Sequence, residues 1–282
     1  RELGTYDPRR IENPQGIAID ARGNLWVAER DYQPKRTSVW SPDGKLVKEF
    51  IGPSGYGGGG FVDPRDPSRI YYAGMEFSLD YETGVWALKR ILSRPVQTPQ
   101  GTHNGRDLDI AAGQPAFTST TRSGAPDKPV FLNGRQYMVK APGTQRLPLL
   151  LIGEFRKDRV VPLAVMGNAE HWWPLANDPA LRGLAGERRL EDISFAWSDR
   201  NGDGLPQPDE VRIFDFRLAP TYWPSVVNPQ LALQMGGRVL EPVAFTACGA
   251  PVYVPAAATP RKLPVETLYA TAVARDGRLL IN

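Results

Sequence analysis

The chain has 282 residues, with 34 Lys or Arg against 31 Asp or Glu and a formal net charge of +3. It carries 28 Gly and 27 Pro, yet 41% of it is hydrophobic and it holds seven Trp. That is too apolar for a disordered chain, and the Gly and Pro follow no collagen period. One cysteine, Cys248, excludes an internal disulfide and a Cys-based zinc site, and two histidines exclude a three-histidine metal site. Apolar stretches are short (Leu147 to Ile152, for example, is broken by Pro148), so no membrane insertion is expected. Basic residues are scattered among acids, so no nucleic-acid partner is expected. The chain opens at Arg1, which suggests a processed chain or part of a longer protein.

Short apolar runs separated by turn residues predict an all-β fold. In chain order, Gly16–Asp20, Leu25–Glu29, Ser38–Ser41 and Leu46–Ile51 read as strands. Ala21–Asn24 and Pro42–Lys45 read as turns, because Asp-Gly and Gly-Asn accept the positive φ of a hairpin. Four antiparallel strands in about 40 residues make one propeller blade. Gly60–Asp63, Arg69–Ala73, Phe77–Tyr81 and Val85–Leu92 predict a second blade, followed by a polar insertion over residues 93–128. Arg135–Lys140, Leu149–Phe155 and Val160–Val165 predict a third. Ile193–Trp197 and Val211–Leu218 frame a fourth, and Gly237–Leu240, Val243–Ala247 and Pro251–Val254 a fifth. Ala272–Ile281 then repeats the pattern of Ala18–Val27, at a spacing that gives about 50 residues per blade. The expectation is a single domain over 1–282, a β-propeller of four-stranded antiparallel blades, six in number with the last incomplete.

The first repeat, Asn13 to Phe50, resembles the NHL repeat of β-propellers, and residues 268–282 resemble it in part. Glu29 stands where NHL repeats usually carry Asp. Tyr56–Gly74 and Phe195–Val211 are similar to segments of large propeller proteins of environmental bacteria such as planctomycetes. The resemblance implies the propeller fold and an exported protein. NHL propellers include protein-binding, RNA-binding and lyase members, so it does not choose a function.

The strongest chemical motif is residues 199–210, which match D-x-[DN]-x-[DN]-G-x₅-E throughout. Calcium takes six to eight hard oxygen ligands in a flexible shell. Asp199, Asn201 and Asp203 offer side-chain oxygens from alternate positions, Leu205 its backbone carbonyl, Gln207 a direct or water-bridged contact, and Glu210 both carboxylate oxygens. Gly204 permits the sharp turn. The flanks predict strands rather than helices, so the expectation is a solitary Ca²⁺ loop in a blade hairpin, with the ion structural. An acidic turn needing no ion is the alternative.

Two further clusters are candidates for ligand binding. Glu170, His171, Trp172 and Trp173 would give aromatic faces for a sugar and an acid or base. They fit better an inter-blade loop whose aromatics pack over the core. His103 with Asp107 or Asp109 would give a base and its orienter, or a solvated loop. The sequence therefore predicts a non-catalytic, extracellular or periplasmic, monomeric calcium-stabilised propeller that binds a protein or glycan. The alternative is a carbohydrate-active lyase or hydrolase with its site at the channel mouth.

Overall fold

The computed structural model describes Ile11 and residues 14–29, 36–51, 60–72, 74–92, 115–120, 125–142, 149–218, 226–235, 238–254, 259–260, 271–273 and 279–281. The fold is all-β, and every sheet is built from antiparallel pairs. Two compact units emerge. Described residues up to Ile51 belong to the first and those from Gly60 onward to the second.

The first unit is one four-stranded sheet of β1 (Pro14–Ile19), β2 (Leu25–Glu29), β3 (Arg36–Trp40) and β4 (Leu46–Ile51), in sequential order. This is the meander expected from the sequence, with β2 and β4 at the expected bounds. The β1–β2 turn is held by Asp20, whose Oδ1 accepts the N–H groups of Arg22 (2.8 Å) and Asn24 (2.9 Å). Its Oδ2 accepts the Trp26 indole N–H at 3.1 Å. That indole, followed by the Asn24 donors, holds the Asp20 carboxyl well below the usual range. Inside the sheet, Trp40 donates to Ser38 Oγ (2.8 Å) and Ser38 donates to Glu29 Oε1 (2.6 Å), which satisfies three buried polar groups in one chain.

In the second unit, β5 (Phe61–Asp63), β6 (Asp66–Tyr72), β7 (Met75–Leu79) and β8 (Trp86–Ile91) form another four-stranded meander. The expected third and fourth blades are not separate. β9 (Lys128–Leu132), β10 (Arg135–Lys140), β11 (Leu150–Arg156), β12 (Arg159–Asn168), β13 (Ser194–Ser198) and β14 (Val211–Phe214) make a single six-stranded sheet. The physical reason is the length of β12. It runs past Val165 to Asn168, and its last five residues pair with β13, from Ala164 opposite Ser198 to Asn168 opposite Ser194.

This sheet is covered on both faces, and the period of two sorts its residues. Met138, Leu149, Leu151, Val165, Phe195 and Trp197 enter one core. Tyr137, Val139, Leu150, Ile152, Ala164 and Ala196 enter the other. Burying each such large side chain contributes about 1.5–3 kcal/mol. At the β11 bulge, a Cβ on Gly153 would stand 2.3 Å from Val160 Cγ1 and 2.7 Å from the Val161 carbonyl oxygen. Only glycine fits there.

Between β12 and β13 lie two short helices that the strand pattern does not predict, α1 (Trp173–Asn177) and α2 (Pro179–Arg182). Asp178 caps α2 by accepting the Ala180 N–H at 2.8 Å. The described part of the expected polar insertion is also different from expectation. Ala116, Phe117, Thr118 and Ser119 are fully or almost fully buried, and Thr120 N–H donates to the His171 carbonyl. The apolar pair Ala116–Phe117 supplies core for this segment.

Farther along, β15 (Val226–Val227), β16 (Leu233–Met235), β17 (Arg238–Leu240) and β20 (Thr259–Pro260) form a four-stranded sheet, while β18 (Pro242–Phe245) and β19 (Pro251–Tyr253) form a hairpin of their own. The expected fifth blade is thus divided between two sheets. β21 (Thr271–Val273) and β22 (Leu279–Ile281) pair as the sequence repeat expects.

Candidate metal centre

The loop 199–210 joins β13 to β14, which pair directly across it from Trp197 opposite Val211. Both flanks are strands, as the sequence predicts, and the exit adds one 3₁₀ turn at Pro208–Glu210. The loop is folded on its own polar side chains. Asp199, fully buried, accepts the Gly202 N–H on Oδ1 (2.7 Å) and the Gly204 N–H on Oδ2 (3.1 Å). Asn201 Oδ1 accepts the Asp203 N–H at 3.0 Å, and Asp203 Oδ1 accepts the Leu205 N–H at 2.7 Å. Positive φ values of 84° at Gly202 and 73° at Gly204 make the turn possible.

Asp203 Oδ2 draws in the amide N–H groups of Asn201 (2.9 Å) and Gln207 (2.8 Å). Burial is the largest single influence on this carboxyl and opposes ionisation, yet the donors from Leu205, Asn201 and Gln207 together hold it below its usual range. The Gln207 Oε1 atom, by contrast, is buried and has no hydrogen-bond partner. A buried acceptor without a donor costs free energy unless something satisfies it.

Glu210, at the twelfth position, is buried. Its Oε1 accepts the Arg200 N–H at 2.7 Å, and its Oε2 accepts the Trp197 indole N–H (2.9 Å) and the Gln207 N–H (3.3 Å). The loop is also tied from outside. The Asp199 carbonyl oxygen accepts Thr246 Oγ1 at 2.9 Å and the Cys248 thiol at 3.1 Å, both from the β18–β19 turn. Ser198 Oγ donates to the Pro251 carbonyl at 2.9 Å. Sequence reasoning missed Trp197, Thr246 and Cys248. The strand pattern places Trp197 on β13, but its bond to Glu210 follows from the β13–β14 register, and nothing in the sequence brings Thr246 to the loop.

Among the described residues, no group of three or more His, Cys, Asp or Glu side chains is arranged to hold a metal ion. In this loop both carboxylates at its ends turn to N–H donors. The donor set nonetheless has the chemistry calcium uses. It is all oxygen, it includes three carboxylates, and it leaves Gln207 Oε1 unpaired.

The second candidate cluster does not assemble as a ligand platform. Trp172 is fully buried, stacked on Phe195 (centroids 4.4 Å apart, 8° between planes) with its indole N–H donating to the Ala116 carbonyl at 2.8 Å. It offers no face to a sugar, because both its rings and its polar handle are used by the core. Trp173 is half-buried and opens α1. His171 lies partly exposed beside Glu170, Nε2 to Oε1 at 3.3 Å, and Glu170 is also paired with Arg217. Burial pushes the His171 pKa down; Glu170 opposes this and Arg217 adds to it. His103 and Asp107 lie outside the described residues.

No protein-family model and no curated protein matches the chain. Among solved structures it is similar to a protein from Lactobacillus plantarum, at 10% identity and a TM-score of 0.33, over 96% of this chain and 78% of that one. It is also similar to a catalytically inactive variant of virginiamycin B lyase from Staphylococcus aureus, crystallised with quinupristin, at 10% identity and a TM-score of 0.26, over 97% of this chain and 85% of that one. At these values neither neighbour informs the site.

Proposed function

We propose that this chain is an NHL-like β-propeller module, stabilised by one calcium ion at residues 199–210, that works outside the cytosol and binds a protein or glycan without catalysis. The observation that carries the calcium reading is the loop itself. All motif positions are filled, the chain turns back over Asp199 as the motif requires, and the Gln207 carbonyl oxygen stays unpaired. The four-stranded meanders β1–β4 and β5–β8 support the propeller reading.

Asp199, Asn201, Asp203 and Gln207 would hold the ion by side-chain oxygens, Leu205 by its carbonyl, and Glu210 would close the shell. A bound calcium supplies fixed positive charge that neutralises the loop's carboxylates and fastens the β13–β14 connection. Extracellular calcium modules work at affinities of about 0.1–1 mM, which suits the calcium concentration outside the cytosol.

The loop is tested by titrating the metal-free chain with calcium in a calorimeter and with terbium while exciting Trp. Trp197, bonded to Glu210, is placed to sensitise terbium emission. Saturable binding abolished by Asp199→Ala supports the reading; no heat and no emission contradict it. A glycan array together with a turnover assay on the bound glycan separates a binder from an enzyme.

A further inference from the structure

We propose that Trp197 is a positioning residue of the calcium loop: its indole N–H clamps the Glu210 carboxylate and thereby sets the affinity for the ion. This rests on the calcium reading above. Among the described residues Trp197 is the one side chain that donates to Glu210; the other two donors are the loop's own amides, from Arg200 and Gln207. Trp197 is itself fully buried on β13, its centroid 6.3 Å from Trp172, which stacks on Phe195. The ring cannot turn without disturbing that stack, so the core fixes the direction of the N–H.

A hydrogen bond to a carboxylate is stronger than one between neutral groups. The indole and the Gln207 N–H fill Oε2, while Oε1, which accepts only the Arg200 N–H, keeps a second lone pair for an ion. The carboxylate is therefore held in one orientation before calcium arrives. The side-chain entropy of a glutamate, which the ion would otherwise have to remove, is already spent in folding. Nothing in the loop motif specifies this residue. It follows only from the register that places Trp197 opposite Val211, one residue after Glu210.

The test compares Trp197→Phe with Trp172→Phe. Each removes one indole from the same aromatic cluster and each loses one hydrogen bond, but only the first loses the bond to Glu210; the second loses the bond to Ala116. Both variants should melt lower than the wild type in chelator. Trp197→Phe should weaken calcium binding by about tenfold in Kd, and Trp172→Phe, which keeps the bond to Glu210, by far less. Equal weakening by Trp172→Phe, or unchanged binding by Trp197→Phe, overturns the proposal.

A metal-free readout separates this from the calcium reading. The Trp197 indole resonance, assigned by its loss in Trp197→Phe, should move and exchange faster in Glu210→Gln. An unchanged resonance overturns the clamp even if calcium binds. A wild-type chain that takes no calcium removes the calcium reading, and the affinity claim with it, whatever the resonance does.

Discussion

Thr246 Oγ1 stands 2.9 Å from the Asp199 carbonyl oxygen, 47 residues away in the chain. The same hydroxyl accepts the Ala250 N–H at 3.0 Å, so one side chain closes its own turn and ties that turn to the start of the loop. Thr246→Val keeps the shape and removes both bonds. The expected loss is about 1–2 kcal/mol, read as a lower urea midpoint with an unchanged slope. Cys248→Ser, which keeps a donor to Asp199, should cost less. An unaffected midpoint in Thr246→Val would show that the tie carries no stability.

Gly153 sits against β12 with no room for a methyl group. Gly153→Ala should destabilise the chain by about 3 kcal/mol, because the contact is partly with backbone that cannot rotate away. A thermal melt of this variant beside Gly134→Ala controls for substitution itself. Gly134 has a φ of 75° but open space around it, so its cost is backbone strain alone.

His171 is held neutral chiefly by burial, so its pKa in the folded chain lies below the unfolded value of 6.5. The stability this adds is complete above pH 6.5. It is lost as pH falls toward the folded pKa, because the unfolded chain takes up a proton first. The urea midpoint should drop between pH 7.5 and 5.5, and His171→Gln should flatten that drop. Equal slopes in the two proteins would place the effect elsewhere; His103 is the chain's other histidine.

Much of the fold was legible in the sequence where local signals are dense. Gly23 and Gly44 take the positive φ their turns demand, and β1–β4 and β5–β8 follow the run-and-turn pattern closely. The merging of the third and fourth blades was not legible. Gly167-Asn168 reads in sequence as a turn that would end the strand near Val165, yet β12 runs through both residues because it pairs with β13, whose partner residues lie 26 to 34 positions farther along the chain. Likewise, Trp172 reads the same in sequence whether it faces a sugar or Phe195. Aromatic identity does not aim a ring. The loop 199–210 lies at the other extreme, since the polar positions of its motif are spaced by the backbone turn alone. What surrounds it, from Trp197 to Thr246, needed the tertiary structure.

If residues 199–210 hold calcium, the ion stabilises the fold. The most direct measurement is the thermal midpoint of the chain in excess calcium and in chelator, with Asp199→Ala alongside. Calcium at about 100 times its Kd should add about 2.7 kcal/mol to the wild type, a rise of several degrees, and nothing to the variant. Identical midpoints in calcium and chelator for the wild type would contradict a stabilising ion and leave the loop as a turn held by its own hydrogen bonds.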